Sequence, residues 1–381
     1  MAHLLRIIAL SFAIGCALHA SAQTQEPARK KKFFGFAALD DTLATEKSGT
    51  VAIPLLYFTP DTRWAFGAAG VHYFKLTPKD GTGTETRMSY IQFLADYTQN
   101  RQLDLWSVWN VFTNNEDYLL KGELRFRNFP DRFYEIGNRS RVETEEFYSY
   151  DLVSLKALFL KKVHPGLFVG FDYHYEYEFG FRYTEGGLLA SGAIPGSTGG
   201  TGSALGGVAV LDTRDNVINA YKGRLAEFST YFYRPAIGST FNFTVVNGLY
   251  QQYWQVRPKH VLALQTRIRL AYGGVPFLDM STLGNDDLLR GYPKNRYRDR
   301  HFAGTQLEYR FPLFWRIGWV AFAGVGDVFD QTTDLSWGAA KYSLGTGLRF
   351  LVNPAERLNV RLDYGRGREG GYFYFIVSEA F

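Results

Sequence analysis

His174, Glu176 and Glu178 are spaced two residues apart, with Asp172 on the same parity. Imidazole and carboxylate groups on one strand face could ligate a cation. The same spacing also makes an ordinary polar strand wall, and that reading explains all of them together. Gly365-x-Gly367-x-x-Gly370 has the spacing of a dinucleotide-binding loop, which requires a strand before it and a helix after it. Here a strand-like segment follows, so the glycines read as a hairpin turn. A nucleophilic enzyme would need Ser or Cys beside a His base. No local Ser–His signature occurs, and the only Cys is Cys16. No catalytic residue, metal or cofactor is therefore expected. Asn242-Phe243-Thr244 fits a glycosylation acceptor but faces the wrong kind of compartment. Lys30-Lys31-Lys32 could touch anionic headgroups and reads as a solvated tail.

The elements that carry these residues follow from composition and pattern. Of 381 residues, 17% are aromatic and 39 are Gly, with one Cys. Such aromatic content excludes a disordered chain, and one Cys excludes a disulfide scaffold. Hydrophobic residues reach 46%, yet the mean hydropathy is only -0.18. No apolar run approaches the roughly 18 residues that a spanning helix needs. The net charge of +5 is modest and no basic helix clusters it, so nucleic acid is not an expected partner.

Residues 1–22 read as an export signal, with Arg6, an apolar core from Ile7 to Leu18, and Ala20-Ser21-Ala22 before Gln23. Ala13-Ile14-Gly15-Cys16 leaves a lipidated alternative open. Residues 23–45 read as a periplasmic segment, and 46–381 as one barrel domain.

Within that domain, about ten residues of alternation are followed by a turn, again and again. In 168–179, Val169, Phe171, Tyr173, Tyr175, Tyr177 and Phe179 oppose Gly170, Asp172, His174, Glu176 and Glu178. In 306–311, Leu307, Tyr309 and Phe311 oppose Gln306, Glu308 and Arg310; in 359–364, Val360, Leu362 and Tyr364 oppose Asn359, Arg361 and Asp363. Strands this long, with aromatic apolar faces, favour a membrane barrel over a soluble sandwich. The expected fold is all-β: a transmembrane antiparallel β-barrel of about 16 strands, including spans at 117–127, 203–212 and 371–381. Tight turns are expected at Asn114-Asn115-Glu116, His164-Pro165-Gly166, Arg257-Pro258-Lys259 and Asn353-Pro354-Ala355, with long connections at 128–144, 184–202 and 274–300 on the other side. Short periplasmic turns and long external loops are the bacterial habit. An aromatic last strand carrying Phe373, Phe375 and Phe381 is what barrel-assembly machinery is expected to recognise.

The last third reads LLRGYPKNRYRDRHFAGTQLEYRFPL (288–313), AFAGVGDVFD (321–330), GTGLRF (345–350) and LDYGRGREGGYFYFIVSEAF (362–381), with LDTRDNVINAYKGR (211–224) upstream. This resembles the barrel domain of the outer-membrane assembly-factor superfamily, the BamA/TamA type, also called the bacterial surface antigen barrel. The resemblance covers 200–381 by motif and 45–200 by architecture. It implies that the long loop carrying Arg290, Gly291 and Tyr292 folds into the lumen, with Arg290 as anchor and Gly291 allowing the tight turn. It implies Glu308, on the lumen-facing parity, as the partner of Arg290. The family often supplies a second acid on the next strand, where this chain has Gly324. Asp327 and Asp363 are candidate substitutes. Family members also carry periplasmic POTRA domains; about 28 residues between the export signal and the first strand are too few for one, which suggests a barrel-only member.

The resemblance implies insertion of proteins or lipids, or passage of a polypeptide, at the outer membrane. Gly370-Gly371 in the last strand and Pro54 in the first would weaken a seam between them. Outer-membrane lipid, the assembly machinery, and an unidentified protein substrate or periplasmic partner are the expected contacts. The alternative is a passive pore narrowed by the loop and its basic residues Arg290, Lys294, Arg296, Arg298 and Arg300.

Overall fold

The computed structural model describes residues 48–59, 63–76, 88–113, 117–284, 287–354, 357–377 and 379–381. The expected export signal 1–22, the expected periplasmic segment 23–45, the expected turn at 114–116 and Ala355 lie outside the described residues.

Alternating sequence becomes strand throughout. The strands are β1 (Ser48–Thr59), β2 (Arg63–Phe74), β3 (Ser89–Thr98), β4 (Leu103–Thr113), β5 (Tyr118–Phe133), β6 (Glu146–His164), β7 (Leu167–Tyr183), β8 (Gly200–Asp212) and β9 (Gly223–Tyr233). They continue as β10 (Phe243–Arg257), β11 (His260–Gly273), β12 (Ser281–Leu283), β13 (Tyr297–Asp299), β14 (His301–Phe314), β15 (Ile317–Phe329), β16 (Lys341–Asn353), β17 (Leu358–Gly367) and β18 (Gly370–Val377). Sixteen of them form one sheet in chain order, every pair antiparallel. The short β12 and β13 pair only with each other, inside the connection between β11 and β14.

This is a transmembrane antiparallel β-barrel. No helix among the described residues is long and apolar enough to cross a membrane; the strands cross instead. Outward positions such as Phe93, Leu124, Phe171, Phe228, Leu344 and Phe373 are exposed and apolar, while Asp104, Glu308, Arg349 and Asp363 are buried on the inner face. In lipid every backbone polar group needs a partner, and neighbouring strands supply it. β1 and β18 are the sheet's two edges, and among the described residues no ladder joins them. The two ends of the barrel differ. Links 165–166, 258–259 and 315–316 are tight at one end, where 75–88 and 213–222 are longer, while 134–145, 184–199, 234–242, 274–300 and 330–340 lie at the other end.

Several spans shift at their ends, β8 for one beginning at Gly200 rather than 203, and two of the shifts have a visible cause. β5 continues past residue 127 to Phe133, paired with β6 up to Phe133↔Glu146. Asn128-Phe129-Pro130-Asp131 has turn composition, but the long β6 offers a ladder and Phe133 is buried against Phe277 and Tyr148. The last strand ends at Val377, not 381, because residues 379–381 turn to the inner face.

Candidate functional site

The 274–300 connection enters the barrel from the long-loop end. Its apolar residues drive that placement: Leu283, Leu288, Leu289, Tyr292 and Tyr297 form a buried cluster with Phe302 and Val328 of the wall. Burial of this many large side chains is the main stabilising term. Gly291 has φ +116, a conformation that L side chains rarely adopt. A Cβ there would also press on the backbone of Arg366 and Gly367.

At the tip, Arg290 is fully buried. Its Nη2 donates to Glu308 Oε2 at 2.5 Å on β14, and its Nη1 donates to Asp363 Oδ2 on β17. Its guanidinium carbon stands 3.4 Å from the centre of the Phe322 ring on β15. The Ser343 hydroxyl on β16 donates to the Arg290 carbonyl. A planar guanidinium suits this place because its fork reaches two carboxylates while its face stacks on an aromatic ring.

The carboxylates are shared. Glu308 Oε1 accepts from Arg310 Nε at 2.8 Å, and Asp363 accepts from Arg349 and, at 2.8 Å, from Arg361 Nη1. Buried charges persist only when paired; every charge of this lattice has an opposite partner, although Arg290 Nε and Arg349 Nη2 make no hydrogen bond.

The structure thus brings Arg290, Glu308 and Asp363 together. Asp327 is elsewhere: it accepts from Lys341 Nζ at 3.0 Å and from Asn138 Nδ2 at 3.2 Å. The reason is height. Phe322 is opposite Glu308, and Asp327 lies five residues further along β15, roughly 17 Å up the strand. Phe373 and Phe375 face outward from β18, whereas Phe381 lies half-buried on the inner face beside Tyr253.

The loop is also tied to the last hairpin. Gly291 N donates to the Tyr374 hydroxyl on β18 at 2.9 Å. The Tyr292 hydroxyl donates to the Tyr342 carbonyl at 2.8 Å. Arg296 makes two hydrogen bonds of 2.6 Å to the Glu369 carboxylate in the β17–β18 turn, and the Tyr297 hydroxyl adds a third. Arg296 also reaches the Ser140 carbonyl in the 134–145 connection. The parity of Arg310 and Arg361 was visible in the sequence; the roles of Glu369 and Tyr374 had no signal, since both look like ordinary hairpin residues.

Gly365 and Gly367 do more than approach a turn. A Cβ at Gly365 would meet the Arg290 backbone at 2.8 Å, and one at Gly367 would meet the Tyr292 ring at 2.4 Å. They are the floor on which the loop lies. His174 pairs with Asp172 at 2.9 Å and Lys156 with Glu176 at 3.3 Å. Among the described residues no group of His, Cys, Asp and Glu converges as a metal site.

The sequence pattern described as the Omp85 superfamily domain matches residues 86–381. No curated protein matches the chain. Among solved structures, BamA from Haemophilus ducreyi lacking POTRA domains 1–3 is similar, with a TM-score of 0.57 and 12% identity, over 87% of this chain and 70% of that one. CdiB from Acinetobacter baumannii gives a TM-score of 0.52 and 9% identity, over 87% of this chain and 60% of that one. At such identities the likeness is one of fold.

Proposed function

The chain belongs to the Omp85 superfamily, and on that premise we propose that it is exported by its signal 1–22 to the outer membrane, where it inserts proteins or lipids or passes a polypeptide across. The observation that carries this reading is the Arg290 anchor: a basic loop tip held in the lumen by Glu308 and Asp363 and hydrogen-bonded to the edge strand β18 through Tyr374. A loop that grips an edge strand links the state of the lumen to the state of the seam.

The seam supports the same reading. β18 has only eight residues, and Pro54 sits in β1, where the missing N–H suits an edge. Lateral opening between β1 and β18 would give a client strand or a lipid a route from the lumen into the bilayer. Substrate, assembly machinery and any periplasmic partner belong to this proposal.

Planar-bilayer conductance of the refolded barrel beside Arg290→Ala tests it. Small, flickering conductance that the substitution turns large and steady is the expected result. Equal, stable, porin-like conductance from both proteins would instead identify a passive pore.

A further inference from the structure

Glu379 lies beyond the last paired residue of β18, Val377, yet it is 8% exposed. Its Oε2 accepts from Arg349 Nε at 2.7 Å and its Oε1 accepts from Asn359 Nδ2 at 2.6 Å. Two residues on, the Phe381 main-chain oxygen accepts from Arg310 Nη2 at 2.7 Å. The Phe381 ring stands 5.2 Å from the Arg310 guanidinium carbon and packs with Tyr253 against a cluster of Ala220, Val261 and Ala263. Residues 379–381 therefore turn into the barrel at its tight-turn end, opposite the end from which the 274–300 connection enters.

The two insertions meet in one charge network. Arg310 bonds both Phe381 and Glu308; Arg349 bonds both Glu379 and Asp363. Glu308 and Asp363 are the two carboxylates that hold Arg290. Four arginines (290, 310, 349 and 361) thus share three side-chain carboxylates (308, 363 and 379) and the Phe381 main-chain oxygen in a buried space. Arg310, Arg349 and Arg361 are fixed on barrel strands, and Arg290 alone is on a loop. If Glu379 leaves, four cations share two carboxylates. Arg349 Nη2, already 3.9 Å from Glu308 Oε1, is placed to compete for Glu308. The cation able to leave is Arg290.

We propose that residues 379–381 form a latch that closes the tight-turn mouth of the lumen, and that releasing the latch undocks Arg290 and its loop. Coupling of this kind is reciprocal, so undocking the loop loosens the latch.

Thiol labelling in liposome-reconstituted protein tests the proposal by a readout separate from conductance or insertion activity. In a chain with Cys16→Ser, one variant carries Ala380→Cys to report the latch and another Leu289→Cys to report the loop. Thr332→Cys, at an exposed position, gives the open reference, and heat-modifiable gel migration confirms assembly. Both reporters should label at least about tenfold more slowly than Thr332→Cys, and adding Glu379→Gln should speed both about tenfold. Should Glu379→Gln not assemble, Glu379→Asp keeps the charge but shortens the reach, and the same acceleration is expected. Ala380→Cys labelling as fast as the reference overturns the latch. Acceleration of Ala380→Cys without Leu289→Cys overturns the coupling.

Discussion

Leu289 fills the space beside Gly324: a Cβ on residue 324 would sit 3.0 Å from Leu289 Cδ2 and equally close to the Thr305 carbonyl. An acid at 324, expected from the family resemblance, would have to displace this leucine. The loop buries a leucine against β15 and takes its second carboxylate from Asp363 on β17 instead. The Arg290 clamp therefore spans two strands, with Glu308 on β14 and Asp363 on β17.

Gly324→Asp should therefore weaken the loop rather than strengthen the clamp. Overpacking of this kind costs about 1–3 kcal/mol. Urea unfolding in lipid vesicles should show that loss, and adding Leu289→Ala should recover part of it. A Gly324→Asp barrel as stable as the parent would mean that the loop tip is not packed against β15.

Arg290→Ala should cost about 3 kcal/mol, the lower end for breaking a buried pair. The lower end applies because Glu308 keeps Arg310, and Asp363 keeps Arg349 and Arg361. Arg290→Lys should lose nearly as much, since an ammonium cannot fork to two carboxylates while stacking on Phe322. A double-mutant cycle of Arg290→Ala with Asp363→Asn should give a coupling of at least about 1 kcal/mol. Strict additivity would deny that the two residues are partners.

Much of this arrangement was legible in the sequence because strands write their two faces in alternate residues. The parity of 306–311 and 359–364 put Glu308, Arg310, Arg361 and Asp363 on the inner wall, and sixteen strands could be traced. What parity cannot give is height. Asp327 and Asp363 were equal candidates until register placed Asp327 well above Arg290. Composition misleads where a partner overrides it: Asn128-Phe129-Pro130 joins a ladder, and an apparent strand end at 379–381 turns to the inner arginines. Gly365 and Gly367 could be seen as small, but what lies over them comes from a loop more than 70 residues away in the chain, as Arg290 to Asp363 illustrates with a separation of 73.

Glu369→Ala should free the β17–β18 turn from the loop. Arg296 is almost fully buried and would lose its carboxylate while keeping Ser140. Losing hydrogen bonds to a charged group costs about 1.5–3 kcal/mol. Hydrogen exchange should quicken in 368–376 and in 288–297 together. Faster exchange confined to the turn would show that Arg296 does not bind hairpin and loop into one unit.

Asp279 gives the loop a pH dependence. It belongs to the 274–300 connection, outside the spanning strands. Burial, and then the neighbouring Glu176 carboxylate, push it up from its ordinary 3.8 to about 7, while Arg269, Lys156 and Arg298 pull the other way. A docked carboxyl that holds its proton more tightly than the undocked one stabilises docking fully below about 3.8. That contribution is lost as pH rises towards 7, where the docked group ionises beside Glu176. Docking should thus be weaker at pH 8 than at pH 5, by at least about 1 kcal/mol, close to one pK unit. Protease cleavage within 274–300 should quicken correspondingly. Asp279→Asn removes the titrating group, so its cleavage rate, corrected for the protease's own pH profile, should be nearly flat over this range. An unchanged slope in Asp279→Asn would assign the dependence to another group and refute this one.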